Sequence, residues 1–266
     1  MRTALIAGNG LLPLEIAKKL SAESTEGILI LAIRDDPEIL KPYAEKLIAF
    51  KTPLISRALR EVKNWRAEQL IMAGGIVKSS LYLLPFGLIF DKLSRRVLRE
   101  SLHDDHSLLG SVVKIFEEEG VKVIPYWQIL PEFIASKGQL NSRSPTQDEM
   151  QDINYGCEIL KITLPCSFGQ SIVIAGRAVV AIEAMEGTDR MIKRAGELLK
   201  CGVLVKMMRA DQDLRYDLPT VGARTLENMH NSGLTCLAVE AGRTLILEPE
   251  KFFNLSEKYN IAIWGI

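Results

Sequence analysis

Carboxylates gather in Glu183-Ala-Met-Glu186-Gly-Thr188-Asp189-Arg190, where a strand pattern ends and a helix pattern begins. Glu183, Glu186 and Asp189 form an oxygen-ligand set suited to Mg²⁺, which commonly keeps several waters while bridging to substrate phosphates. The same residues have plainer uses, because Gly187 permits a sharp turn and Thr188 or Asp189 can cap the following helix while the glutamates stay solvated. The second acidic candidate is Asp211-Gln-Asp213-Leu-Arg215-Tyr-Asp217-Leu-Pro-Thr220-Val-Gly222. If this segment is extended, Asp213, Arg215 and Asp217 share one face. Such a row could hold a metal, bind a phosphate through Arg215 and orient a water through Asp217. A helix starting at Pro219 would instead make Asp217 its cap.

Two glycine turns offer phosphate chemistry. Gly8-Asn-Gly10-Leu11-Leu-Pro13 stands where a first strand meets a first helix, a place where glycines let backbone approach a phosphate and the helix N-terminus supplies partial positive charge. It is half a dinucleotide fingerprint: Pro13 replaces the third glycine, and Asp35 and Asp36 fall late for a ribose contact. Gly74-Gly75, followed by Lys78, ends another strand, so both turns could face one crevice at the carboxyl edge of a parallel sheet. His103-Asp104-Asp105-His106 opens a helix. Its aspartates read as N-caps or as an acidic contribution at the crevice mouth; a zinc site would need a third, separated ligand.

These residues need elements to hold them. In the first half, apolar runs at 5–7, 28–33, 47–50, 69–72 and 121–124 alternate with helical patterns from Pro13, Ile55 and Asp105, which predicts a Rossmann-like parallel sheet covered on both faces. The small polar stretch 136–147 reads as a linker, dividing a nucleotide-binding domain over 1–135 from a mixed α/β catalytic domain over 148–266. There, hairpins are expected at Gly176-Arg177 and Gly242-Arg243, helices over 189–200, 219–231 and 250–259, and a final strand at 261–264.

With 266 residues, 47% of them hydrophobic and 25% charged, the chain can bury a sizeable core, and disorder is excluded as a global description. Its 33 basic and 33 acidic residues balance, so no overall field draws it to nucleic acid. Cys157, Cys166, Cys201 and Cys236 show neither a CxxC pair nor disulfide-framework spacing. No signal peptide is visible, and Leu81 to Phe90, broken by Pro85 and Gly87, is too short to span a bilayer. A cytoplasmic protein is expected.

The blocks Ile6 to Pro13, Glu183 to Asp189, Gly202-Val-Leu-Val-Lys206, Gln212 to Gly222 and Glu240-Ala-Gly242 resemble, in order, those of the LpxI-type UDP-2,3-diacylglucosamine pyrophosphatases of lipid A synthesis. The resemblance runs over nearly the whole chain, with departures at Asn9 and His103, where glycine is usual. It implies a two-domain enzyme that uses Mg²⁺ to hydrolyse UDP-2,3-diacylglucosamine to UMP and 2,3-diacylglucosamine 1-phosphate (lipid X), binding substrate between its domains. Asp217 is implied as essential, with Asp189 and Arg215 beside it in catalysis. Asp217, Asp189, Glu183 and Glu186 are the metal candidates. Gly8, Gly10, Leu11, Gly74, Gly75, Lys78, Asp104, Asp105, Thr188, Lys206 and Thr220 are the substrate-binding candidates. Leu81 to Phe90 is core or an acyl contact, and the resemblance is compatible with a peripheral contact at the inner membrane and with a homodimer. The competing readings are a nucleotide-dependent oxidoreductase using the Gly8 turn and a non-catalytic nucleotide-sugar-binding protein.

Overall fold

The computed structural model describes residues 2–50, 54–75, 91–100, 105–209 and 212–266, the side chains of 98–100 and 105–108 aside. Lys78, Asp104 and the apolar stretch from Leu81 to Phe90 lie outside the described residues, as does the side chain of Asp105. The chain divides into two compact units, Met1–Pro131 with Asp213–Asp217, and Glu132–Gln212 with Leu218–Ile266. The stretch 136–147 therefore lies inside the second unit.

In the first unit, β1 (Thr3–Ala7), β2 (Ile28–Ala32), β3 (Lys46–Ala49), β4 (Gln69–Ala73) and β5 (Lys122–Val123) form one sheet in the order β3-β2-β1-β4-β5, with every pair parallel. β1 and β2 are buried along their full length, as strands covered on both faces must be, which explains their near-continuous apolar runs. The covering helices among the described residues are α1 (Leu12–Glu23), α2 (Ile55–Asn64), α3 (Lys92–Glu100) and α4 (Asp105–Glu118). The order reverses at β1 and β4, and both glycine turns follow these two strands.

Asp91 joins two of the helices. Its Oδ2 accepts from the N–H of Ser56 (2.8 Å) and Arg57 (3.3 Å) in the first turn of α2, while Oδ1 accepts from the N–H and hydroxyl of Ser94 in α3. Burial works against the charged form, but the bonds from Ser94 and Ser56 outweigh it and hold this carboxyl below its usual range. One side chain thus supplies caps to two helix starts. Asp91→Ala is expected to destabilise the first unit by about 2 kcal/mol, one cap's worth at each helix, read as a lower urea midpoint. An unchanged midpoint would show that water replaces both caps.

The second unit is built on a six-stranded mixed sheet, in the order β6-β13-β11-β9-β7-β8. It contains β6 (Gly138–Gln139), β7 (Ser171–Ala175), β8 (Ala178–Ile182), β9 (Val203–Lys206), β11 (Cys236–Val239) and β13 (Ala262–Gly265). The hairpin at Gly176-Arg177 is present: β7 and β8 pair antiparallel, both turn residues have positive φ, and Asp152 accepts from both turn N–H groups. The hairpin expected at Gly242-Arg243 is not. β11 runs parallel to both β9 and β13 in the middle of the sheet, whereas β12 (Leu245–Ile246) pairs with β10 (Thr220–Val221) in a separate two-stranded sheet.

Helices α5 (Gln147–Thr163), α6 (Thr188–Leu198), α7 (Ala223–Ser232) and α8 (Pro249–Lys258) complete this unit. The helix expected from Pro219 starts later, with Gly222 as N-cap of α7, because the backbone after Pro219 first pairs as β10.

Candidate active site

In the first unit the two glycine turns are bonded to each other. Gly8 N–H donates to the carbonyl of Ala73 (2.8 Å), Asn9 N–H to that of Gly75 (2.7 Å) and Gly75 N–H to that of Asn9 (3.0 Å). A Cβ on Gly8 would lie 2.6 Å from the Gly75 carbonyl oxygen, and one on Gly74 would lie 2.6 Å from Pro13 Cγ. Gly8 and Gly74 are therefore explained by the approach of one turn to the other. The second contact accounts for Pro13: the close packing that a third fingerprint glycine usually permits is supplied by Gly74 from the neighbouring strand. Gly10 (φ +102°) and Gly75 are exposed, and nothing stands within 4 Å of a Cβ on either.

The loop after β2 closes this corner. Asn9 Oδ1 accepts from Asp35 N–H (3.1 Å), and Arg34 Nη1 donates to the Gly10 carbonyl (3.4 Å). Arg34 Nε is buried without a hydrogen-bond partner among the described residues. Sequence reasoning passed over Arg34 in favour of its acidic neighbours; a cation just beyond the second strand was the available signal. Leu11 is the N-cap residue of α1 and offers no side-chain cap, so this helix start, with Pro13 in its first turn, leaves backbone N–H groups for an anion.

In the second unit a polar chain lies at the carboxyl end of β9. Lys206, the last residue of the strand and 8% exposed, donates from Nζ to Thr188 Oγ1 (3.0 Å). Thr188 donates to Glu183 Oε1 (2.9 Å), and the hydroxyl of Ser171, fully buried, stands 3.4 Å from that of Thr188. Glu183 Oε2 accepts from the N–H of Gln170 (3.2 Å). A strand end, a hairpin end and a helix start thus converge on one hydroxyl. The Thr188 side chain is turned toward Lys206 and Glu183, and the N-terminus of α6 has no side-chain cap among the described residues.

The three carboxylates of the 183–189 block go to different partners. Glu186 pairs with Arg194 (2.5 Å), which holds its carboxyl below the usual range. Asp189 accepts from Asn228 Nδ2 (2.9 Å) and pairs with Arg224 (2.9 Å). Among the described residues no three His, Cys, Asp or Glu side chains gather where they could hold a metal ion. Ser171, Asn228 and Glu240 make polar contacts here that the sequence did not single out. Ser171 opens an apolar strand and Asn228 lies on the buried face of α7 beside Met229; Glu240, just past β11, accepts from Met208 N–H (2.8 Å). A polar residue inside an apolar pattern was the signal for the first two.

The segment that would align Asp213, Arg215 and Asp217 if extended is a turn. Asp213 takes Arg215 through both Nε and Nη2 (3.0 and 2.6 Å) and accepts the Arg215 backbone N–H (2.9 Å), while its carbonyl accepts from the N–H groups of Tyr216 (3.3 Å) and Asp217 (3.2 Å). Arg215 Nη1 reaches Glu117 of α4 (2.7 Å). Its guanidinium is held by two carboxylates. Asp217 is half-buried at the end of the turn; Thr220 donates to the Leu218 carbonyl (3.2 Å).

Two family models match this chain in succession: the LpxI N-terminal domain over 2–133 and the LpxI C-terminal domain over 136–264. The chain belongs to the LpxI family. It is also 26% identical over 276 aligned positions to the UDP-2,3-diacylglucosamine pyrophosphatase LpxI of Caulobacter vibrioides, covering 100% of this chain and 97% of that protein. Within the LpxI frame, the Gly8 corner falls in the N-terminal match and the Lys206–Thr188–Glu183 chain in the C-terminal one. Asp213–Asp217 is LpxI C-terminal by sequence but packs with the first unit.

Proposed function

We propose that this LpxI-family chain hydrolyses the diphosphate of UDP-2,3-diacylglucosamine, adding water across the P–O–P bond to release UMP and 2,3-diacylglucosamine 1-phosphate. What carries the reading is the buried cation Lys206, joined through Thr188 to Glu183 at the carboxyl end of a parallel strand and beside an uncapped helix start, in a chain of this family. An ammonium and free helix N–H groups both stabilise phosphate oxygens, and the charge they meet grows as the leaving phosphate departs. The Gly8–Leu11 turn, with Arg34 and Gly75, is the part suited to a nucleotide. Asp217 orients the attacking water, which adds to the phosphorus nearer the sugar. The reaction run in ¹⁸O water is expected to label 2,3-diacylglucosamine 1-phosphate, and label found only in UMP would reject that choice of phosphorus.

Mg²⁺ is part of the proposal, and the donor set limits how it fits. Without three converging ligands among the described residues, the ion would be held by a single carboxylate, Asp189 or Asp217 being the candidates, with substrate oxygens and water as its other ligands. Bound in that way it would offset phosphate charge. No helix among the described residues is long and apolar enough to cross a membrane.

The test is to incubate the chain with UDP-2,3-diacylglucosamine in Mg²⁺ and in EDTA and to follow UMP by mass spectrometry. UMP appearing only with the metal is the expected result. Folded protein that binds the substrate but releases no UMP in either condition would favour a nucleotide-sugar-binding protein instead.

A further inference from the structure

Arg215 and Glu117 have no part in the chemistry just described, yet they tie down the turn that ends in Asp217. The chain enters this turn from the second unit at Gln212 and returns to it at Leu218, while the five residues between them pack with the first unit. Two of its side chains contribute to that attachment among the described residues. Tyr216 packs against the hydrophobic core of the first unit, with its hydroxyl 3.4 Å from the point where a Cβ on Gly110 would stand. Arg215 Nη1 donates to Glu117 Oε1 at 2.7 Å. Gly110 and Glu117 are seven residues apart on α4, two helical turns, and so lie on the same face.

The remaining guanidinium donors shape the turn itself. Asp213 takes Nε and Nη2 of Arg215, and the Asp213 carbonyl fixes the N–H groups of Tyr216 and Asp217. One arginine therefore couples the internal form of the turn to its seat on α4.

We infer that Arg215 is a positioning residue: bridging Asp213 and Glu117, it seats the Asp213–Asp217 turn on α4, so that the first unit presents Asp217. The catalytic part of this inference rests on the role proposed above for Asp217. Arg215 is half-exposed and held by a bidentate carboxylate and a second acid, a geometry that a flexible lysine ammonium does not reproduce.

The experiment uses the full chain and the variants Glu117→Lys, Arg215→Gln and the double variant. Glu117 lies in the last turns of α4, where a lysine favours the helix, so the first variant opposes Arg215 without weakening α4. Hydrogen exchange of the amides of Tyr216 and Asp217 is expected to quicken about tenfold in Glu117→Lys as the turn loosens. In UMP release, kcat should fall about tenfold with KM within about twofold, and the double variant should be no worse than Arg215→Gln alone, since both act through one contact. Unchanged exchange in Glu117→Lys overturns the inference. So does an Arg215→Gln variant that raises KM at constant kcat while Glu117→Lys works normally, the pattern of an arginine that binds substrate. If the unmodified chain releases no UMP, the function reading fails, the presentation of a catalytic Asp217 falls with it, and exchange alone decides whether Arg215 seats the turn.

Discussion

Asp217→Ala is expected to lower UMP release by about 10²- to 10⁴-fold, the range for a lost group that orients or deprotonates water, while substrate still binds. The structure removes the plainest competing role. From sequence, Asp217 before Leu218-Pro219 could have been the cap of a helix, and its loss would then have shown as instability. Pro219 instead leads into β10, and the next helix starts after Gly222, five residues beyond Asp217. The backbone N–H of Asp217 is held by the Asp213 carbonyl, a bond that alanine at 217 keeps. The turn should therefore survive the substitution with its Arg215 anchor intact. Asp217→Asn should lose as much turnover as the alanine variant, because it keeps the shape and removes the charge. Equilibrium binding of substrate to both variants, with UMP formation followed in a single turnover, separates the outcomes: weak binding with normal single-turnover chemistry would make Asp217 a substrate contact and remove it from catalysis.

How much of this could be read from the sequence depends on whether the partners are near in the chain. The β1–turn–α1 corner was legible because its signals are local: an apolar run, glycines, then a proline in the first helical turn. That Gly8 and Gly74 exist for each other was not, since 66 positions separate them and their contact depends on β1 lying beside β4. The two Gly-Arg pairs make the same point. Gly176-Arg177 and Gly242-Arg243 look alike between apolar runs, but only the first turns a hairpin. β11 lies between two parallel neighbours and is buried throughout, and periodicity records burial without naming the partner strand. Alternation left two forms open at Asp213, Arg215 and Asp217, and a short-range grip of Asp213 on Arg215 folds the segment into a turn. In the acidic block 183–189 the sequence located the strand end, the turn and the helix start, but the partners that spread its carboxylates apart, Arg194, Asn228 and Arg224, come from a later turn of the same helix and from another helix.

Glu149→Ala is expected to destabilise the second unit strongly, by about 3 to 5 kcal/mol, the cost of leaving a largely buried charge without its partner. Glu149 accepts from Arg143 through both Nη1 (3.1 Å) and Nη2 (2.9 Å), from Thr146 N–H (2.8 Å) and from Thr235 Oγ1 (2.6 Å). It closes a capping box at the start of α5 and, through Arg143 Nη1 and the Thr235 carbonyl, fastens that start to the segment entering β11. Removal of the carboxylate thus strands Arg143, 20% exposed in its side chain, along with a part-buried threonine bond and a helix cap. The pH dependence follows from the same contacts. Burial works against the charged form of Glu149, but the bonds from Arg143, Thr235 and Thr146 outweigh it and hold the folded carboxyl below its ordinary 4.5. A group lowered in the folded state stabilises fully above its unfolded pKa and loses that contribution as pH falls through the folded value. Between pH 8 and about pH 5 the gap in urea midpoint between the unmodified chain and Glu149→Gln should stay constant, and it should narrow below about pH 4. A gap that is already closing near neutrality would mean that the carboxylate is not held by these donors.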